Sequence, residues 1–132
     1  MEKLYEEARK AFMNSYSPYS KFKVGAAIEL KNGEIISGTN VENSSYGLSI
    51  CAERSALFTA YSLGYRKNDI KKMLVIGDTI KPISPCGACR QVMSELLELD
   101  TEVILTNLNN ERLIYKVNEL LPYHFNEGDL NG

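Results

Sequence analysis

Apolar residues recur along this chain with two different periods, and the switches between them mark its elements. In residues 2–15, Leu4, Ala8, Ala11 and Phe12 fall at i, i+4, i+7 and i+8 with charged residues between them, which predicts an amphipathic helix. Residues 15–20 then form a loop, broken at Pro18. From 22 to 30, Phe22, Val24, Ala26, Ile28 and Leu30 alternate with Lys23, Gly25, Ala27 and Glu29, the pattern of a strand with one apolar face. Asn32-Gly33 predicts a two-residue hairpin turn, with a return strand over 34–41. Residues 43–47 read as a loop.

A second helix is predicted over 51–63, stopped by Gly64. Its apolar residues, among them Ala52, Ala56, Leu57, Phe58, Ala60, Tyr61 and Leu63, are not confined to one stripe, so it is expected to be buried on several sides, with a subunit interface as one way to do so. The unbroken run 72–77 predicts a strand covered on both faces. Ser84 reads as an N-cap and Pro85 as the first position of a third helix, with Cys89, Val92, Met93, Leu96 and Leu97 at helical spacing behind them. Strands follow at 102–106 and 112–116, and Asn118 is expected to cap a short turn before Pro122. The polar tail 126–132 reads as loose. The order α-β-β-α-β-α-β-β predicts an α/β fold: a three-layer α/β/α sandwich with a mixed five-stranded sheet.

Composition narrows this picture only slightly. At 132 residues, 44% hydrophobic and 24% charged, the chain reads as one globular domain over 1–132. A net charge of −2 provides no field for nucleic acid, and no apolar run has membrane-spanning length. The charged start Met1-Glu2-Lys3-Leu4 lacks the apolar core of a signal peptide, so a cytoplasmic location is expected. Three cysteines, an odd number, cannot all pair internally, which favours reduced thiols or thiolate ligands.

Those cysteines carry the candidate chemistry. Cys86 and Cys89 have the C-x-x-C spacing of a zinc half-site, and Cys51 opens a helix as Cys86 does. Two positive helix ends would then converge on one cation held by three sulfurs, leaving the open position of a catalytic site. Any one of these cysteines taken alone also reads as a small buried hydrophobe. Three thiolates and Zn²⁺ sum to one negative charge, which Arg54 would offset if it faces the sulfurs rather than solvent. Glu53, two residues past Cys51, stands where a carboxylate can take a proton from a metal-activated water, although a glutamate at a helix start also serves the dipole. His124, the single histidine, would close the site as Cys₃His if it is a ligand. A zinc-stabilised binding module and a dithiol oxidoreductase built on Cys86 and Cys89 are the competing readings.

Taken together, several stretches resemble a known family. Cys51-Ala52-Glu53-Arg54 and Ser84-Pro85-Cys86-Gly87-Ala88-Cys89-Arg90-Gln91 are similar to the signature of the zinc nucleoside deaminases of the cytidine/deoxycytidylate deaminase superfamily. Residues 19–27, 38–43 and 120–125 extend the likeness, and the small size with cysteine at 51 resembles the homotetrameric three-cysteine cytidine deaminases. The resemblance implies one zinc per subunit on Cys51, Cys86 and Cys89, proton transfer by Glu53, and Arg54 supporting the sulfurs. It implies that Asn40 and Glu42 bind the ribose hydroxyls, where an Asx turn and a solvated charge are the plain alternatives. It further implies that Phe22 and Phe125 pack on the pyrimidine, Phe125 from a neighbouring subunit, and that backbone groups at Ala52 and Ser84 read the base edge. The implied activity is hydrolytic deamination of cytidine and deoxycytidine in pyrimidine salvage, with neither nucleic acid nor membrane as a partner.

Overall fold

The structure is a computed structural model that describes residues 2–131, with the side chain of Asn131 left out. Helix α1 (Glu2–Met13) is followed by β1 (Val24–Leu30), β2 (Ile35–Thr39), α2 (Ala52–Ser62), β3 (Ile70–Gly77), α3 (Gly87–Leu96), β4 (Glu102–Asn107), β5 (Arg112–Lys116) and the short helices α4 (Val117–Leu120) and α5 (Glu127–Asn131). The strands form one five-stranded sheet in the order β2-β1-β3-β4-β5. Only β3 and β4 run parallel, as a crossover through α3 requires, and the other pairs are antiparallel.

Two separate apolar clusters make this a three-layer sandwich. Leu4, Tyr5, Ala8 and Phe12 of α1 meet Ala27, Leu74, Ile76 and Ile104 on one face of the sheet. Ala52, Ala56, Leu57 and Ala60 of α2 and Cys89 and Met93 of α3 meet Val24, Ala26, Ile28, Met73, Val75 and Val103 on the other. The interior strand β1 is therefore buried on both faces, where alternation alone predicts one. Its second face presents the small residues Gly25 and Ala27 to α1: a β-carbon at Gly25 would lie 2.1 Å from the carbonyl oxygen of Ala8, so glycine is what lets α1 approach.

Local departures from expectation have local causes. The β1–β2 turn holds three residues rather than two: Leu30 N donates to Glu34 O at 2.8 Å and Gly33 N to Leu30 O at 3.0 Å, with Gly33 in the left-handed region at φ 92°. A tight turn followed by left-handed glycine matches strand twist as well as the two-residue form does. Phe22 precedes β1 instead of joining it. Helix α2 stops where Gly64 takes φ 96°, as expected; within this chain it buries a single stripe and leaves Phe58 and Leu63 exposed. Helix α3 starts two residues later than predicted. Cys86, not Ser84, is its N-cap, with φ −68° and ψ 165°, because the ring of Pro85 disfavours helical backbone at Ser84 and the Cys86 sulfur takes the capping bond. Lys116 rather than Asn118 caps α4, where Glu119 Oε1 accepts from Lys116 N at 2.7 Å. The tail, expected to be loose, forms α5, and Gly132 lies outside the described residues.

Among the described residues, no helix is long and apolar enough to cross a membrane.

Candidate functional site

Helices α2 and α3 lie on the same face of the sheet, and their N-termini bring three sulfurs together. Cys51 is the N-cap of α2, Cys86 the N-cap of α3, and Cys89 sits in the first turn of α3. The sulfur atoms lie within 4.8 Å of one another, and Cys51 Sγ to Cys86 Sγ is 3.9 Å. Zinc bound tetrahedrally with Zn–S near 2.3 Å separates its sulfurs by about 3.8 Å, so the cluster fits that ion. The set is also graded in exposure: Cys89 is buried, Cys51 half-buried and Cys86 exposed, which leaves one side open.

Electrostatics point the same way. Arg54 Nη2 donates to Cys51 Sγ at 3.3 Å, the side-chain hydrogen bond this guanidinium makes among the described residues. A hydrogen bond from Cys89, with Arg54 alongside, holds the Cys51 thiol down at about 5. Cys89 is pushed up by that shared proton and by burial. The Cys51 sulfur thus carries negative charge that a divalent cation would offset. Cys89 N also donates to Cys86 Sγ at 3.5 Å, so the helix end supports the sulfur directly.

Glu53 follows on the first turn of α2 and lines the same cleft as Cys51 and Cys86. It is only 4% exposed, and burial pushes its carboxyl up to about 7. A group near neutrality is suited to both accepting and returning a proton.

The cleft encloses about 350 Å³. Besides the sulfur site, its walls include Phe22, Asn40, Glu42 and Ser84, all marked in the sequence, together with Ser20 and Tyr46, which were not. Asn40 and Glu42 are neither a plain Asx turn nor a solvated charge. Asn40 Nδ2 donates to Phe22 O at 2.8 Å, and Asn40 Oδ1 accepts from Val24 N at 3.0 Å. Glu42 is buried and accepts from the backbone N–H groups of Tyr19 and Ser20 at 3.1 and 3.0 Å and from the Ser20 hydroxyl. The Ser20 hydroxyl and N–H hold its carboxyl below the ordinary range. Both residues therefore fasten the 19–24 segment that carries Phe22 over the cleft. Ala52 is fully buried under the cleft wall at the start of α2.

Two marked residues lie elsewhere. Phe125 is half-exposed, with its carbonyl accepting from Gln91 Nε2 at 2.9 Å, and it lines a separate depression with Pro122 and His124. His124 is thus away from the sulfurs, and among the described residues the metal-ligating group is three cysteines without it. The Cys₃His closure is not formed. Sequence reasoning passed over Ser20 because a loop serine has no pattern until the carboxylate facing it is known.

Residues 1–106 match the family model described as the cytidine and deoxycytidylate deaminase zinc-binding region. The chain is 52% identical over 128 residues to a cytidine deaminase of Halalkalibacterium halodurans, covering 97% of this chain and 96% of that protein. It is 47% identical over 131 residues to one of Sporosarcina psychrophila, covering 99% and 95%. Its fold superposes on the crystal structure of cytidine deaminase from Burkholderia pseudomallei with a TM-score of 0.91 at 48% identity, covering 94% of this chain and 98% of that one.

Proposed function

Since the chain belongs to the cytidine and deoxycytidylate deaminase family, we infer that it catalyses the hydrolytic deamination of cytidine and deoxycytidine to uridine and deoxyuridine, releasing ammonia, within pyrimidine salvage. The observation that carries this reading is the cleft that Glu53 lines together with Cys51 and Cys86 of a three-sulfur cluster with zinc dimensions. Cys51, Cys86 and Cys89 hold one zinc per subunit, and Arg54 takes up part of the excess negative charge through Cys51. When bound, zinc supplies the positive charge that lets a water give up its proton near neutral pH.

The remaining work falls to this chain's side chains. Glu53 accepts one proton of the attacking water and delivers it to the ring N3 as the oxygen adds at C4, then takes the remaining hydroxyl proton and delivers it to the departing amine, so that both protons of water are placed and ammonia leaves. Its burial excludes solvent from the transfer. Phe22 packs on the pyrimidine, and Asn40 and Glu42 bind the ribose hydroxyls, an amide and a carboxylate being suited to a diol. Backbone groups at Ala52 and Ser84 read the base edge. Phe125 completes the site of a neighbouring subunit, which makes the working unit a homotetramer. One domain over residues 1–132, free nucleosides as substrates and a cytoplasmic location complete the reading.

The test is to add cytidine to purified protein and follow ultraviolet absorbance together with ammonia. Stoichiometric release that disappears on chelation and returns with zinc is expected. Zinc-loaded protein that releases no ammonia from either nucleoside overturns the reading.

A further inference from the structure

Arg90 stands one position past Cys89 in α3, outside the cleft lining, yet its guanidinium is committed on three sides. Nη2 donates to Ser84 Oγ at 2.7 Å, Nε to Pro85 O at 2.9 Å and Nη1 to Leu120 O at 2.9 Å. The segment it grips is otherwise poorly tied. Ser84 to Cys86 belongs to no strand, and Pro85 has no N–H to offer a ladder. The last backbone anchor before it is Ile83 N to Thr106 O at 3.2 Å. Ser84 and Cys86 nevertheless both line the cleft, so their placement matters to whatever binds there.

From this geometry we propose that Arg90 is a positioning residue: it fixes Ser84 and the chain entering Cys86 from behind, and so sets how the base lies against the metal site. The inference rests on the deaminase reading above. Arginine is donor-only, so the Ser84 hydroxyl must accept from it. That contact occupies a lone pair and leaves the single hydroxyl hydrogen pointing away from Arg90, available to the cleft. The Pro85 carbonyl, held at the same time, cannot rotate and carry Ser84 with it. Leu120 O anchors the guanidinium itself from α4. Lysine has the charge and three donors but not the planar fork that reaches these three acceptors from Nε, Nη1 and Nη2.

The experiment is steady-state cytidine kinetics on zinc-loaded, full-length R90A, R90K, S84A and R90A/S84A, with zinc content and melting temperature measured alongside. Displacing a bound group by ~1 Å can cost about 100-fold, so R90A is expected to lose about that much in kcat/KM, with a KM raised about 10-fold while zinc stays stoichiometric. R90K should resemble R90A, and it stands in if R90A does not fold. Because Arg90 acts partly through Ser84, the double variant should lose clearly less than the product of the two single losses. Independent, multiplying losses overturn the proposal. So does an R90A or R90K protein whose zinc-loaded fraction keeps the wild-type KM and kcat, since that marks Arg90 as structural only. Absence of turnover in the unaltered chain overturns the deaminase reading and this inference with it, whereas normal turnover with an unaffected R90A overturns this inference alone.

Discussion

Ser20 grips both oxygens of Glu42: its N–H donates to Oε1 at 3.0 Å and its hydroxyl to Oε2. The same hydroxyl accepts from Phe22 N at 3.0 Å, so one serine ties the carboxylate to the aromatic residue on the cleft wall. These donors favour the charged carboxylate and lower its pKa in the folded state. The stability they contribute is therefore complete above the unfolded value near 4.5 and drains away as pH falls through the folded value. The melting-temperature difference between wild type and Glu42→Gln should be constant from about pH 7 to 5 and shrink below about 4.5. A difference that widens on acidification would contradict this.

A second prediction concerns how close α2 lies to the sheet. A β-carbon at Gly38 would come within 2.4 Å of Ala56 N and 2.9 Å of Ser55 C, which are backbone atoms of the helix that carries Glu53. Nothing flexible can yield there, so Gly38→Ala must push α2 outward. Overpacking of this kind costs about 3 kcal/mol, which for a chain of this size lowers the melting temperature by about 10 °C. Gly47→Ala, which meets open space within 4 Å, is the control and should melt like wild type.

Much of this was legible in the sequence, for reasons that differ by element. The stripe Leu4, Ala8, Ala11 and Phe12 is buried as its spacing requires, because helix periodicity records burial directly. The three cysteines announce a joint site because each is paired with a helix start. Burial of β1 on both faces was not legible, since Gly25 and Ala27 carry no hydrophobic signal and owe their burial to the approach of α1. The start of α3 was misplaced because serine is the usual capping residue, whereas here a cysteine caps and the serine is held by Arg90. Contacts such as Arg90 to Leu120 O join residues 30 apart, and no local pattern encodes them.

Zinc should support the fold as well as the reaction. All three sulfurs sit at the starts of helices packed on the sheet, so a cation bound by all three would tie α2 to α3. Structural zinc sites contribute of the order of 10 kcal/mol in small domains, so even a fraction of that is large here. Chelation should lower the melting temperature by about 10 °C or more, and Cys89→Ala should purify metal-poor and less stable. Wild-type-like melting with stoichiometric zinc in that variant would remove the claim.

Phe125 is half-exposed and lines no part of its own chain's cleft. If it serves a neighbouring site, Phe125→Ala should raise the KM for cytidine about 10-fold, the loss of one aromatic contact, while zinc content stays unchanged. Light scattering at assay concentration should find an oligomer. A fully active monomer would show that no residue is borrowed between subunits.

Glu53 provides the strongest test of the chemistry. It reaches the cleft beside Cys51 but is not one of the three sulfur ligands, so its loss need not cost the metal. Glu53→Gln keeps the length and the hydrogen-bonding reach of the side chain and removes its ability to carry a proton. General acid–base assistance is typically worth about 10²–10⁴-fold. In the proposed mechanism a single carboxylate handles successive transfers, from water to N3 and then to the amine, so the loss in kcat should reach or exceed the upper end of that range. Zinc content should stay near one per chain because the sulfurs are untouched. Replacing a carboxyl that burial already holds near neutrality with an uncharged amide should also leave folding intact. A purely structural zinc site or a dithiol centre assigns no proton transfer to this position and expects no deaminase activity to lose. The proposed role of Glu53 is falsified if the glutamine variant, fully loaded with zinc, turns cytidine over at a near-normal rate.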